Sequence, residues 1–198
     1  KLDERCQLDL DILTILEEMQ STGFPADRAY FERLSATMWD KMMEIGHRIS
    51  HKYNDDEPFN PASAPQVSAL AARRGLKGVK KTKTGMVSTS KKSMEHLRSV
   101  DDAMDDIFTW REHQKVKDSF ADTIIDRIPV DVAVYPIRCT IRSTRVTSGR
   151  ISAAEPNLTA MPVATELGLL VRDGFIAPDG YLLGTGDSSQ IEMRVMAH

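Results

Sequence analysis

The chain has 198 residues, 41% hydrophobic and 28% charged, with a net charge of −3; that is enough for one domain or two small ones with a real core, in the proportions of an ordinary soluble protein. No run reaches the apolar length of a membrane span and no basic-then-apolar leader opens the chain, which points away from membranes and from secretion. Cys6 and Cys139 stand far apart without metal-ligand spacing and read as free thiols in a reducing compartment.

From the N-terminus, Ile12, Leu13, Leu16 and Met19 recur at helical spacing over residues 8–20, and Gly23 with Pro25 ends that helix. Asp27 is suited to cap a second helix, from 28 to about 51. Its apolar face would be Tyr30, Phe31, Leu34, Met38, Met42, Ile45 and Ile49. Residues 54–61 read as a turn-rich break, and a short helix over 64–74 is stopped by Gly75. Residues 77–92 are mainly lysine, threonine, serine and glycine and read as a basic tip between helices, with a further short helix over 91–98. A long amphipathic helix follows from 101 to about 125, with Met104, Ile107, Phe108, Val116 and Phe120 at helical intervals and Lys115 and Lys117 in its second half.

The character changes after Pro129. Residues 130–135 and 137–146 are alternating and β-branched, which predicts strands, while 148–149 and 155–157 predict turns. Residues 175–177 and 180–185 predict a strand pair around Pro178-Asp179-Gly180. The expected fold class is α+β, a helical arm over the first two thirds followed by the opening of a β-rich domain. The start at Lys1 and the end in mid-pattern at His198 read as those of a fragment.

The near-neutral total conceals an uneven distribution. No acid occurs from 58 to 94, which carries Arg73, Arg74, Lys77, Lys80, Lys81, Lys83, Lys91 and Lys92. A second acid-free stretch, 132–154, carries Arg138, Arg142, Arg145 and Arg150. Local charge of this kind favours a polyanionic partner.

Three constellations carry chemistry, each beside a plainer alternative. Asp187 stands between Gly186 and Ser188 at the end of the apolar run Tyr181-Leu182-Leu183. A carboxylate there gains nothing from packing and suits a divalent cation, given further ligands from elsewhere. Glu192 lies three residues after Ser189, so it reads equally as half of a capping box at a helix start. The run from Thr144 to Ser152, followed by Glu155-Pro156-Asn157-Leu158, joins arginines, hydroxyls and a tight Gly turn. These can donate to phosphates and to minor-groove base edges, or form an exposed hairpin. The 77–92 tip suits a phosphate backbone without reading sequence, or is a solvated loop.

These same residues resemble the A-family DNA polymerases, the bacterial DNA polymerase I class and its phage relatives. Thr147-Ser148-Gly149-Arg150-Ile151-Ser152 with Glu155-Pro156-Asn157-Leu158 is similar to the family's T-G-R-L-S…D-P-N-L segment. Phe175-Ile176-Ala177-Pro178 resembles its A-F-I-A-P strand, and Asp187-Ser188-Ser189-Gln190-Ile191-Glu192-Met193-Arg194 resembles motif A, D-Y-S-Q-I-E-L-R. Upstream, Phe59-Asn60 with Ser63 and Gln66, the tip sequence Lys81-Thr82-Lys83-Thr84-Gly85, and Arg111-Glu112 with Lys115-Val116-Lys117 are similar to thumb segments in the same order.

The resemblance implies a helix at the base of the palm (1–26), a helical thumb (27–125) and the N-terminal part of the palm (126–198). It implies DNA-directed DNA synthesis, in which a primer 3′-hydroxyl attacks the α-phosphate of a deoxynucleoside triphosphate with two magnesium ions. Asp187 would ligate the metals with the backbone carbonyl of Ser188. Ser189, Gln190 and Glu192 would line the nucleotide pocket, Glu192 closing it against a ribose 2′-hydroxyl. Lys81, Lys83, Arg111, Lys115, Lys117, Arg145, Thr147, Arg150 and Asn157 would contact primer–template. The resemblance implies a cytoplasmic, nucleoid-associated protein, with no membrane partner and no oligomer indicated. Ser188 stands where the family usually has Tyr, Ala160 replaces a second Asn, and Ala164 and Leu169-Leu170 replace residues that are often basic. A non-catalytic, thumb-like duplex-binding module is the alternative from another class.

The fingers helix and the second carboxylate motif of the family do not occur in the sequence. The 198-residue chain alone is therefore expected to give no primer extension; robust extension by the purified chain overturns that expectation.

Overall fold

A computed structural model describes residues 4–76, 88–90, 95–143, 145–147, 150–162 and 165–197. Most of the 77–92 tip, the 148–149 turn and the first part of the 91–98 helix lie outside the described residues.

The longest helix, α2 (Arg28–Tyr53), forms where its sequence pattern places it. The Asp27 carboxylate accepts the Tyr30 N–H at 3.1 Å, which satisfies one of the amides left unpaired at a helix start. Phe31, Leu34, Met38, Met42, Ile45 and Ile49 are all buried. Before it, α1 (Glu4–Thr22) runs into β1 (Phe24–Asp27). Gly23 makes the corner with φ +70°, and a Cβ there would lie 2.9 Å from the Ile137 carbonyl oxygen, so only glycine lets the two backbones meet.

Helix α3 (Ala64–Arg73) is capped by Ser63 and followed, after a 3₁₀ turn at Glu95–Leu97, by α4 (Asp102–Val116). Asp101 caps α4 by accepting the Met104 N–H. A π turn, Lys117–Ala121, then leads into α5 (Asp122–Ile125), so the expected 101–125 helix is interrupted near its end.

Beyond it come β2 (Val134–Ile137), β3 (Thr140–Arg142), β4 (Ser152–Ala154), a 3₁₀ turn at Leu158–Ala160, α6 (Glu166–Asp173) and α7 (Ile191–Met196). β1 pairs antiparallel with β2, from Phe24 opposite Ile137 to Asp27 opposite Val134. β3 pairs antiparallel with β4, from Thr140 opposite Ala154 to Arg142 opposite Ser152.

Two apolar clusters hold the elements together. One gathers Ala26, Phe31, Leu34, Met38, Val116, Phe120, Ile124, Ile137, Val171 and Phe175. The other gathers Ile45, Ile49, Val67, Leu70, Leu97, Met104, Ile107 and Phe108. α2 contributes to both, its first half to the strands and α6, its second half to α3 and α4. The α+β class holds, with helical content dominating the first two thirds.

Several expectations are corrected. Residues 130–132 form no strand: Val130 is exposed in a turn and pairing begins only at Val134. The 137–146 strand shortens to three residues. Residues 175–177 give one bridge, Ala26 to Phe175, and 180–185 form no strand. Tyr181 and Leu182 are exposed there, and the Tyr181 N–H turns back onto the Pro178 carbonyl; apolar residues make a strand only where a second strand takes up their backbone groups. On α1 only Leu16 of the expected face is buried, while Leu13 and Met19 lie exposed. The helix is tied mainly at its end, where Gln20 accepts the Ile141 N–H and the Ser21 carbonyl accepts from Arg138.

Phe31 is fully buried and meets Phe175 edge-on with ring centroids 5.5 Å apart. Phe31→Ala is expected to cost about 3–5 kcal/mol, while Val130→Ala should stay within about 0.5 kcal/mol; urea unfolding of the two variants measures the contrast.

Candidate functional site

Asp187 lies on an irregular, exposed segment that connects the Pro178 turn to α7. The structure does not put it at a strand end, because 181–186 is unpaired. Gln190, in the left-handed region at φ +54°, is the cap of α7, and its side chain makes no capping bond. The helix starts one residue later than the expected capping box requires: Ser189 lies outside the helix, and Glu192 stands second in it rather than third. The start of a helix still favours negative charge near its unpaired amides. Ser188 and Ser189 are exposed beside Asp187.

A divalent cation of the magnesium or calcium kind takes six or more oxygen ligands. Among the described residues no group of three His, Cys, Asp or Glu side chains is arranged to hold a metal ion. Asp187 thus offers one exposed carboxylate, and the described residues alone do not complete a magnesium site.

The second constellation surrounds the short β3–β4 pair. Arg145, Thr147 and Arg150 are exposed between the two strands; Thr144, Ser148 and Gly149 lie outside the described residues. Asn157 follows β4 on the surface, its side-chain carbonyl accepting from the Thr159 hydroxyl at 2.7 Å. Arg138 is drawn away from this group by the Ser21 carbonyl.

The third constellation is the 77–92 tip, and Arg111, Lys115 and Lys117 are the cations expected beside it on the helical arm. Lys81 and Lys83 lie outside the described residues. Lys115 is exposed on the last turn of α4. Lys117 is bonded to Asp122 and sits 5.9 Å from the centre of the Trp39 ring. Arg111 is half-buried, donating to the Pro61 carbonyl at 2.8 Å and the Thr89 carbonyl at 2.7 Å. Burial pushes its pKa below the ordinary arginine value, though a guanidinium keeps its charge throughout. These two bonds tie α4 to the loop before α3 and to Thr89, one of the described residues of the 77–92 tip.

The acids of 101–112 are largely spoken for. Asp101 pairs with Arg74, Asp105 and Glu112 with Arg98, and Asp106 with Arg48. Their charge is thereby matched locally by arginines from neighbouring elements.

Sequence reasoning missed three features. The carbonyl bonds of Arg111 leave no trace in spacing. The Lys117–Asp122 pair is five residues apart, a separation that does not face itself on an ordinary α-helix. An apolar groove of about 550 Å³ opens between α1 and the two strand pairs, lined by Ile15, Met19, Phe24, Cys139, Ile151 and Met161. Burial raises the pKa of the Cys139 thiol, which lowers the thiolate fraction and with it the reactivity.

A model described as DNA polymerase family A matches residues 28–198. The chain is 32% identical to the thermostable DNA polymerase I of Thermus thermophilus, over 97% of this chain and 23% of that protein. It is 33% identical to the DNA polymerase I of Rhizobium leguminosarum (97% and 19%) and 31% identical to that of Bacillus subtilis (97% and 22%). It thus spans less than a quarter of the length of these relatives. Among solved structures, the POL domain of Pol1 from M. smegmatis, in complex with DNA primer-template and dNTP, matches with a TM-score of 0.81 at 27% identity, over 96% of this chain and 33% of that one. The chain belongs to DNA polymerase family A.

Proposed function

We propose that this chain is the part of a DNA-directed DNA polymerase that grips primer–template and begins the catalytic centre. The observation that carries the reading is the match to the M. smegmatis polymerase domain, which extends over 96% of the chain at a TM-score of 0.81. That relative is described with DNA primer-template and dNTP bound. In this reading residues 1–26 support the palm, 27–125 form the thumb, and 126–198 open the palm.

The residues divide by chemistry. Lys115, with Lys81 and Lys83 of the tip, is suited to neutralise backbone phosphates, the salt-dependent part of DNA binding. Arg145, Thr147, Arg150 and Asn157 are proposed for the minor-groove side of the duplex near the primer end, where donors and amides reach base edges and sugars. Arg111 serves this surface by bracing loops, since two of its donors already hold carbonyls.

At the reaction centre a primer 3′-hydroxyl gives up its proton to water and its oxygen bonds to the α-phosphorus, the bond from that phosphorus to the α,β-bridging oxygen breaks, and pyrophosphate leaves. Two magnesium ions are the cofactor of this reading; bound, they would supply charge stabilisation to both oxygens. Asp187 and the carbonyl of Ser188 are proposed as part of their ligand set. Ser189 and Gln190 are proposed for the nucleotide pocket, and Glu192, in the first turn of α7, is proposed to limit room at the sugar 2′ position.

Asp187→Ala in the natural full-length protein is expected to lower nucleotide addition on the order of 100- to 1,000-fold with primer–template affinity largely kept; near-normal synthesis in a primer-extension assay would sink the metal assignment. Glu192→Ala is expected to raise ribonucleotide incorporation relative to deoxynucleotide, measured by competition between the two triphosphates. An unchanged ratio removes Glu192 from the sugar contact.

A further inference from the structure

Lys115 and Lys117 stand two residues apart on one helical run, yet their surroundings differ. Lys115 is exposed and makes no ion pair among the described residues. The Lys117 side chain is 19% exposed and bonded to Asp122. Asp122 uses its other oxygen to accept from the Ser35 hydroxyl on α2. The Lys117 ammonium also lies over Trp39 of α2, within the distance at which an indole face attracts a cation.

The π turn makes this arrangement possible. Residues five apart sit about 140° round an ordinary α-helix, so Lys117 and Asp122 would face different ways. A turn with i to i+5 bonds brings them together. The Thr123 hydroxyl bonds the Asp118 carbonyl across the same five-residue interval, at 2.9 Å. The recess beside Lys117 is lined by Glu32, Ser35, Ala36, Trp39 and Ile125. A phosphate approaching Lys117 through it would meet the carboxylate of Glu32, itself paired with Arg28, and the Asp122 carboxylate already bonded to Lys117. Like charges repel, so these carboxylates oppose a phosphate there.

We propose that Lys117, Asp122 and Ser35 form a fastener, built by the π turn, that sets the long helix against α2. Lys117 is then a positioning residue, and Lys115 alone of the two neutralises a duplex phosphate. The role of Lys115 rests on the polymerase reading; the fastener does not.

The test uses the natural full-length protein with Lys115→Ala, Lys117→Met, and the reversed pair Lys117→Asp with Asp122→Lys. Primer–template affinity is measured across a salt series, and urea unfolding midpoints are measured alongside. Lys115→Ala is expected to flatten the slope of log affinity against log salt by about 0.9, one phosphate contact, with the midpoint kept. Lys117→Met is expected to leave the slope and lower the midpoint. The reversed pair should recover that midpoint with the slope of the natural protein, a result that a phosphate-contacting Lys117 could not give. A slope lost in Lys117→Met, or a reversed pair that recovers no stability, overturns the fastener. A natural slope in Lys115→Ala overturns the duplex role of Lys115 and leaves the fastener to be judged on the midpoints alone.

Discussion

A single apolar stripe along α2 carries the rest of the structure. Phe31, Leu34 and Met38 bury against Val116, Phe120, Ile124, Ile137 and Phe175, while Ile45 and Ile49 bury against Val67, Leu70, Ile107 and Phe108. Because one helix enters both clusters, its stiffness relates the strands at one end to the helical arm at the other. Interiors packed at crystal-like density transmit such constraints with little give. The edge-on contacts of Phe31 with Phe175 and Tyr30 fix the end nearest the strands, and Gly174 leaves the space that the Phe31 ring fills.

The electrostatics follow from that scaffold. α2, α3 and the 3₁₀ turn before α4 bring Arg48, Arg74 and Arg98 onto the acids of α4 and its cap. Exposed pairs of this kind add little stability each. Their consequence is spatial: acids matched by arginines within the arm weaken the field that would otherwise oppose a polyanion. Arg111 and Lys117, two partly buried cations that the family resemblance alone would assign to DNA, are held by carbonyls and by a carboxylate respectively. Burial of a charged group without such partners is costly.

The sequence made some of this legible and hid the rest for identifiable reasons. α2 could be read because a 3.6-residue period and a capping Asp27 agree. β1 could not: its four residues include Pro25, and its partner lies at Val134–Ile137, far along the chain. α6 escaped notice although Thr165 caps it by accepting the Gly168 N–H, since eight residues carry little periodic signal. Residues 180–185 misled in the other direction, being apolar but lacking a paired neighbour. At the site, Asp187 and Glu192 stood out from their spacing, while the entry to α7 at Gln190 depends on one left-handed backbone angle that spacing does not reveal.

What the sequence determined by itself was local: the periodic helices, their caps, the charge-segregated stretches and the motif that links the chain to its family. Each of these depends on residues close together along the chain, where geometry follows directly from side-chain type. Tertiary structure alone decided which cations remain available to solvent, which strands find partners, and where a helix departs from regular winding. Lys115 and Lys117 are the same residue in nearly the same place, and only packing against Ser35, Trp39 and Asp122 separates them. Such distinctions arise from contacts between distant segments, which form only when the whole chain has folded.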